Sequence, residues 1–141
     1  MKKVLATGTF DLLHPGHVHY LRESAAQGDE LVVIVARESM VSHKNPPVLP
    51  EKQRREMVGS LKPVDRAVLG SEDSIFEPLH DIRPDVVTLG HDQHYDEDDL
   101  RDELRERGFD ADVVRVSGRE ETEDEILSTS SIVERIVEER C

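Results

Sequence analysis

Apolar positions along this chain fall into two rhythms, unbroken runs and spaced stripes. Val4-Leu5-Ala6 and Leu31-Val32-Val33-Ile34-Val35-Ala36 are runs, the second rich in β-branched residues, and a run of this kind marks a strand covered on both faces. Residues 3–7 and 31–36 are therefore read as strands, and the shorter runs at 64–69, 85–89 and 111–116 as three more. Stripes lie between them. Residues 18–27 place Leu21 and Ala25 on one helical face, with Gly28 positioned as the stop. Residues 51–61 and 75–82 form the next helices, the latter halted before Pro84. Residues 96–107 carry Leu100 and Leu104 four apart, a narrow inward stripe. Residues 132–139 close the chain as a helix with Ile132, Val133, Ile136 and Val137 turned inward. The polar stretches 37–50, with Pro46-Pro47, and 117–128 read as loops.

Strands alternating with helices, each strand an apolar run, predict an α/β fold: a doubly wound, Rossmann-like, five-stranded parallel sheet with helices on both faces. One domain spanning residues 1–141 accommodates it. In such a sheet a ligand is expected outside the carboxyl ends of the strands.

Charge changes the picture more than length does. Asp and Glu total 31 against 18 Lys and Arg, a formal charge of −13, and Lys is the minor base. The acids are spread along the chain, so the composition fits a salty cytoplasm, where a Debye length of about 3 Å at molar salt screens self-repulsion. No basic face stands out, which argues against nucleic acid as a partner. No apolar run is long enough to span a membrane and Met1-Lys2-Lys3 opens no signal-peptide pattern, so a cytoplasmic protein is expected. Cys141 is the sole cysteine, which leaves no internal disulfide and no cysteine-rich zinc site. There is no G-x-G-x-x-G after the first strand, so hydride transfer lacks its main sequence support.

Candidate chemistry concentrates in Thr7-Gly8-Thr9-Phe10-Asp11-Leu12-Leu13-His14-Pro15-Gly16-His17, between the first strand and the first helix. Pro15 suits the opening helical turn, where its missing N–H costs nothing. Gly16 lets a ligand approach the backbone. His14 and His17, three apart, project from one face of that turn beside its N–H groups and the positive end of the helix dipole. Such a place binds an anion, most naturally phosphate. Phe10 is expected to pack under the loop and Thr9 to offer a hydroxyl and N–H to phosphate. Asp11 either caps the following turn or lies near a Mg²⁺ carried by a nucleotide; one carboxylate is too little for a metal site of its own.

These residues resemble a known family. Gly8-Thr9-Phe10-Asp11 with His14-Pro15-Gly16-His17 matches the G-T-F-D-x-x-H-x-G-H signature of the cytidylyltransferase-like nucleotidyltransferases. The resemblance implies transfer of a nucleoside monophosphate unit to a phosphorylated acceptor with release of pyrophosphate, His14 and His17 donating to the α-phosphate. Three further stretches extend it. Lys44 matches a catalytic lysine after the second strand and Arg55 an arginine in the following helix, both implied to contact substrate phosphate. They belong to a locally basic stretch, Arg37, Lys44, Lys52, Arg54 and Arg55, in an otherwise acidic chain. Gly90-His91-Asp92-Gln93 has the Gly-x-Asp-Gln form of archaeal FAD synthetases, which places Gly90 and Asp92 at the nucleoside; His91 and His94 are read as polar loop residues. Ser128-Thr129-Ser130-Ser131 resembles the hydroxyl motif that holds outer phosphates, although Ser131 stands where one form of it has Lys. N-capping accounts for one hydroxyl, not four, which favours a second anion site. Arg119 lies near the position of a base-contacting arginine, at a longer spacing.

Taken together, the resemblance implies an FMN adenylyltransferase: ATP plus FMN gives FAD and pyrophosphate, with Mg²⁺ accompanying the nucleotide. An archaeal, halophilic source and a homodimer go with it. The alternatives are a cytidylyltransferase making a CDP-alcohol such as CDP-glycerol from CTP, an inactive nucleotide-binding sensor, and a purely structural domain.

Overall fold

The computed structural model describes residues 1–40, 46–74, 76–91, 93, 95–118 and 126–141. Five strands, β1 (Lys3–Gly8), β2 (Glu30–Val35), β3 (Arg66–Leu69), β4 (Val86–Leu89) and β5 (Asp112–Arg115), form one sheet in the order β3-β2-β1-β4-β5. Every pairing is parallel, with Val4 opposite Leu31 and Val86, and Leu89 opposite Arg115. The strand order reverses between β1 and β4, and that switch point is where an open parallel sheet presents its crevice.

Alternation along the buried strands divides the core into two layers. Leu5, Val32, Ile34, Val87 and Leu89 face α3 (Leu79–Ile82) and α4 (Glu97–Glu106), whose Leu79, Ile82, Leu100 and Leu104 complete that cluster. Val4, Ala6, Leu31, Val33, Val35 and Val86 face α1 (Pro15–Ala25) and α2 (Glu51–Gly59), which contribute Leu21 and Val58. The expected helices on both faces are present. Three of the acids fasten the amino edge of the sheet: Asp29, Asp85 and Asp65 accept the backbone N–H of Lys2, Lys3 and Leu31 at 2.7, 2.8 and 2.7 Å.

Three expectations fail, the first being the helix read at 75–82, of which only α3 at Leu79–Ile82 forms, after a turn at 76–78. Gly28 does not stop α1, which ends at Ala25. A side chain at Gly28 would lie 2.7 Å from Val4 Cγ2 and 2.8 Å from the Lys2 carbonyl, so close approach to β1 is what requires glycine there. The last helix, α5 (Thr129–Arg140), begins three residues early and buries nothing completely. Ile136 and Val137 are 48% and 55% exposed instead of inward. Their spacing sets a stripe, but no element of the described chain covers it. Among the described residues no helix is long and apolar enough to cross a membrane, and Cys141 is exposed.

Candidate active site

The loop after β1 turns sharply. Phe10 takes a left-handed backbone conformation (φ 51°), which costs a non-glycine residue about 1–2 kcal/mol. Its ring folds back over Gly8, where a Cβ would come within 2.8 Å of it. The ring is buried, stacked at 6.4 Å on Tyr20 and tilted at 5.4 Å against His17. Phe10 thus packs under the loop as expected and forms the floor on which His17 rests.

His14 is the N-cap of α1, and Pro15 is its first residue. Nδ1 of His14 accepts the N–H of Gly16 at 3.1 Å, and Nδ1 of His17 accepts the N–H of His14 at 3.3 Å. The two histidines form a reciprocal capping box, a task usually given to Ser or Thr with Glu or Gln. Their rings lie 3.8 Å apart at 30°. A ring nitrogen that accepts an N–H bond holds no proton, so each neutral ring carries its hydrogen on Nε2. Capping therefore fixes the tautomer and makes Nε2 the donor.

Gly16 is also required by the protein itself. A Cβ there would meet His14 Cε1 and Nδ1 at 2.8 and 2.9 Å, so the missing side chain makes room for the His14 ring. Gly16→Ala should displace that ring. Because Ala is the better helix former by about 1 kcal/mol, the variant is expected to keep its thermal stability while kcat falls at least about tenfold. Melting curves and steady-state kinetics on one preparation check both halves.

The amino terminus of α5 abuts that of α1. Thr129 Oγ1 donates to the Leu12 carbonyl at 3.2 Å, and the Leu127 carbonyl lies 3.8 Å from where a Gly16 Cβ would stand. Ser128 caps α5 by accepting the N–H of Ser131 at 3.1 Å, and its hydroxyl donates to Ser131 Oγ at 2.7 Å. Ser128 and Thr129 thus donate locally, Ser131 Oγ accepts from Ser128, and Ser130 is exposed. Position favours an anion here: two helix amino termini and two imidazoles meet beyond the carboxyl end of the central strand β1.

Asp11 is not a cap, because His14 holds that position. Its carboxylate oxygens accept the N–H groups of Val48 and Leu49 at 2.8 and 2.9 Å. Arg54, fully buried, completes the clamp. Its Nε donates to the Leu49 carbonyl (3.0 Å), and its Nη1 to those of Thr9 (2.7 Å) and Ala36 (2.9 Å). The stretch from Ala36 to Leu49 is therefore held at both ends to the loop after β1.

Sequence reasoning picked Arg55 and missed Arg54. Arg55 is exposed and lines an open groove of about 730 Å³ with Pro50, Lys52, Gln53, Glu56, Gly59 and Ala67, away from the histidines. The signal was present: Arg54 and Val58 are four apart, on the face of α2 that packs inward. Arg37 also leaves the basic cluster, paired with Glu51 at 3.7 Å. Lys44, Asp92, His94 and Arg119 lie outside the described residues.

The loop after β4 occupies the other side of the switch point. Gly90 is buried; its N–H donates to Gln93 Oε1 at 2.7 Å, and Gln93 Nε2 reaches the Thr7 carbonyl at 3.5 Å. Arg115, unnoticed in the sequence, donates through Nη1 to the carbonyls of Gly90 (2.8 Å) and Gln93 (3.0 Å).

The cytidylyltransferase-like family model matches residues 5–135. This chain belongs to that family. Among relatives in it are proteins named FAD synthase from Natronomonas pharaonis, 57% identical over 141 residues and all of both chains, and from Ferroglobus placidus, 58% identical over 97% of this chain and 89% of the other. The solved structure of a Thermoplasma volcanium protein described as a lipopolysaccharide core biosynthesis protein superposes with a TM-score of 0.83 at 43% identity, covering 85% of this chain and 99% of its own. An Archaeoglobus fulgidus protein of unknown function shares the fold at a TM-score of 0.65 and 21% identity. In this family member the signature residues His14 and His17 are both present and brought into ring contact.

Proposed function

We propose that this chain is an FMN adenylyltransferase, converting ATP and FMN to FAD and pyrophosphate. The carrying observation is identity of 57% along the whole length of a protein named FAD synthase. The geometry suits the chemistry. An FMN phosphate has a second pKa near 6, so at neutral pH it is largely ionised and needs no general base. One of its oxygens forms a bond to the α-phosphorus of ATP while the bond from that phosphorus to the bridging oxygen breaks, and pyrophosphate leaves with the electron pair. Negative charge grows on the α-phosphate oxygens, and donors already in place are the main catalytic resource for such a step.

His14 and His17 supply Nε2–H donors, while the α1 and α5 amino termini offer dipole and N–H groups to the phosphates. Thr9, at the turn before them, lines the same loop. Lys44, between the clamped ends Ala36 and Leu49, neutralises phosphate charge; Gly90 and Asp92 line the nucleoside, and Arg119 contacts the base. Mg²⁺ enters with ATP, held by the triphosphate. The described residues contain no cluster of three metal-ligating side chains, and Asp11 is engaged with backbone N–H groups. A saline archaeal cytoplasm fits the charge of −13, and a homodimer would cover the exposed Ile136 and Val137.

The test is pyrophosphate release and FAD formation at molar KCl with ATP and FMN, alongside CTP with glycerol 3-phosphate. FAD from the first pair is expected. Release only with the second pair would establish the cytidylyltransferase instead, and silence with every pair would revive the reading as a nucleotide-binding sensor.

A further inference from the structure

The connection from β4 to α4 is fastened through several of its described residues. Carbonyls from Gly90, Gln93 and Tyr95 converge on the guanidinium of Arg115, and Glu97, the first residue of α4, accepts its Nε–H. Arg115 ends the edge strand β5, directly opposite Leu89, the residue that enters the loop. The loop is thus wrapped around a cation from the neighbouring strand. A second fastening lies three residues on: the His91 ring occupies the space a side chain at Gly118 would fill, with ring atoms 2.7–2.8 Å from that position. The same strand exit is tied back to α1 by His19 Nε2 and the Ser117 carbonyl at 3.0 Å. Through Gln93 and Thr7 the loop also reaches β1.

We infer that Arg115 is a positioning residue for nucleotide affinity: it shapes the wall of the crevice between β1 and β4 without touching substrate. This rests on the adenylyltransferase reading above, in which the β4 loop lines the nucleoside. A planar guanidinium can serve four acceptors around its edge, which a lysine ammonium on a flexible stem cannot. Loss of the fork lets the loop relax, so ATP binds a looser wall, while the histidine pair on α1 keeps its own capping bonds and its geometry. The effect belongs in KM for ATP and not in kcat.

Arg115→Met and Arg115→Lys are compared with the wild type for kcat and for KM of ATP and of FMN, with melting curves on each. Arg115→Met is expected to raise KM for ATP about 10-fold or more with kcat within about threefold of wild type and KM for FMN unchanged; Arg115→Lys should fall between. Should the Met variant not fold, the Lys variant carries the test. An unchanged KM for ATP in a folded variant overturns the inference, as does a rise confined to FMN or a fall in kcat alone. A wild-type protein that makes no FAD removes the underlying reading instead, before any variant is measured.

Discussion

His14→Asn and His17→Asn are each expected to lower kcat by about 10²–10³-fold with the fold intact, about 2.7–4 kcal/mol added to the barrier. Asparagine separates the two tasks of each ring. Its side-chain oxygen stands where Nδ1 stood, so the bonds to the Gly16 and His14 N–H groups survive. Asn is among the best N-cap residues, so His14→Asn in particular should not destabilise α1. What disappears is the hydrogen on Nε2, the atom proposed to meet the α-phosphate. His→Gln makes the opposite choice, keeping a donor near the Nε2 position while losing the cap, and should recover part of the rate with some loss of stability. Single-turnover rates at saturating ATP and FMN read the chemical step directly. An Asn variant that retained more than about a tenth of the wild-type rate would mean that the ring at that position does no more than hold the helix.

That double duty explains what could be read from the sequence and what could not. The start of α1 is governed by local rules: Pro15 at the first position and residues three apart on one face. The pairing of His14 with His17 followed from spacing alone. The sheet was legible for a similar reason, because parallel strands buried on both faces leave continuous apolar runs whose alternate residues then sort into the two core layers. Tertiary placement was not legible. Asp11, Arg54 and Arg115 bind backbone groups of distant segments, Arg54 reaching 45 residues to Thr9 and Arg115 25 residues to Gly90. A carbonyl acceptor leaves no mark on the residue type that carries it. For α5 the difficulty is of another kind. Ile132, Val133, Ile136 and Val137 define a face by periodicity, but only the arrangement of the other elements decides whether anything covers it.

The locally basic stretch from Arg37 to Arg55 shows how far local charge can mislead. Its members share a neighbourhood in sequence and then separate: Arg37 pairs with Glu51, Lys52 and Arg55 face an outer groove, and Arg54 enters the interior. The one buried among them has the greatest structural consequence.

Arg54→Ala is accordingly expected to destabilise the protein by about 3 kcal/mol or more. The carbonyls of Thr9, Ala36 and Leu49 would each lose their guanidinium donor, and an unsatisfied buried polar group costs about 1–3 kcal/mol, a sum reduced by whatever water enters the vacated space. Arg54→Lys should restore less than half, since one ammonium cannot reproduce Nε and Nη1 contacts to three segments. Nη2 of Arg54 is buried with no hydrogen-bond partner among the described residues, so the native arrangement already carries a desolvation cost that only the three carbonyl bonds justify. The decisive measurement is a double-mutant cycle with Asp11→Ala in urea at fixed KCl. Asp11 holds the Leu49 N–H and Arg54 the Leu49 carbonyl, so once either grip is gone the other holds a segment already loose. The double variant should therefore lose less than the sum of the singles, by about 1 kcal/mol. Strict additivity, or a loss below about 1 kcal/mol for Arg54→Ala, would mean that the clamp between the loop after β1 and the Ala36–Leu49 segment does not hold the two together.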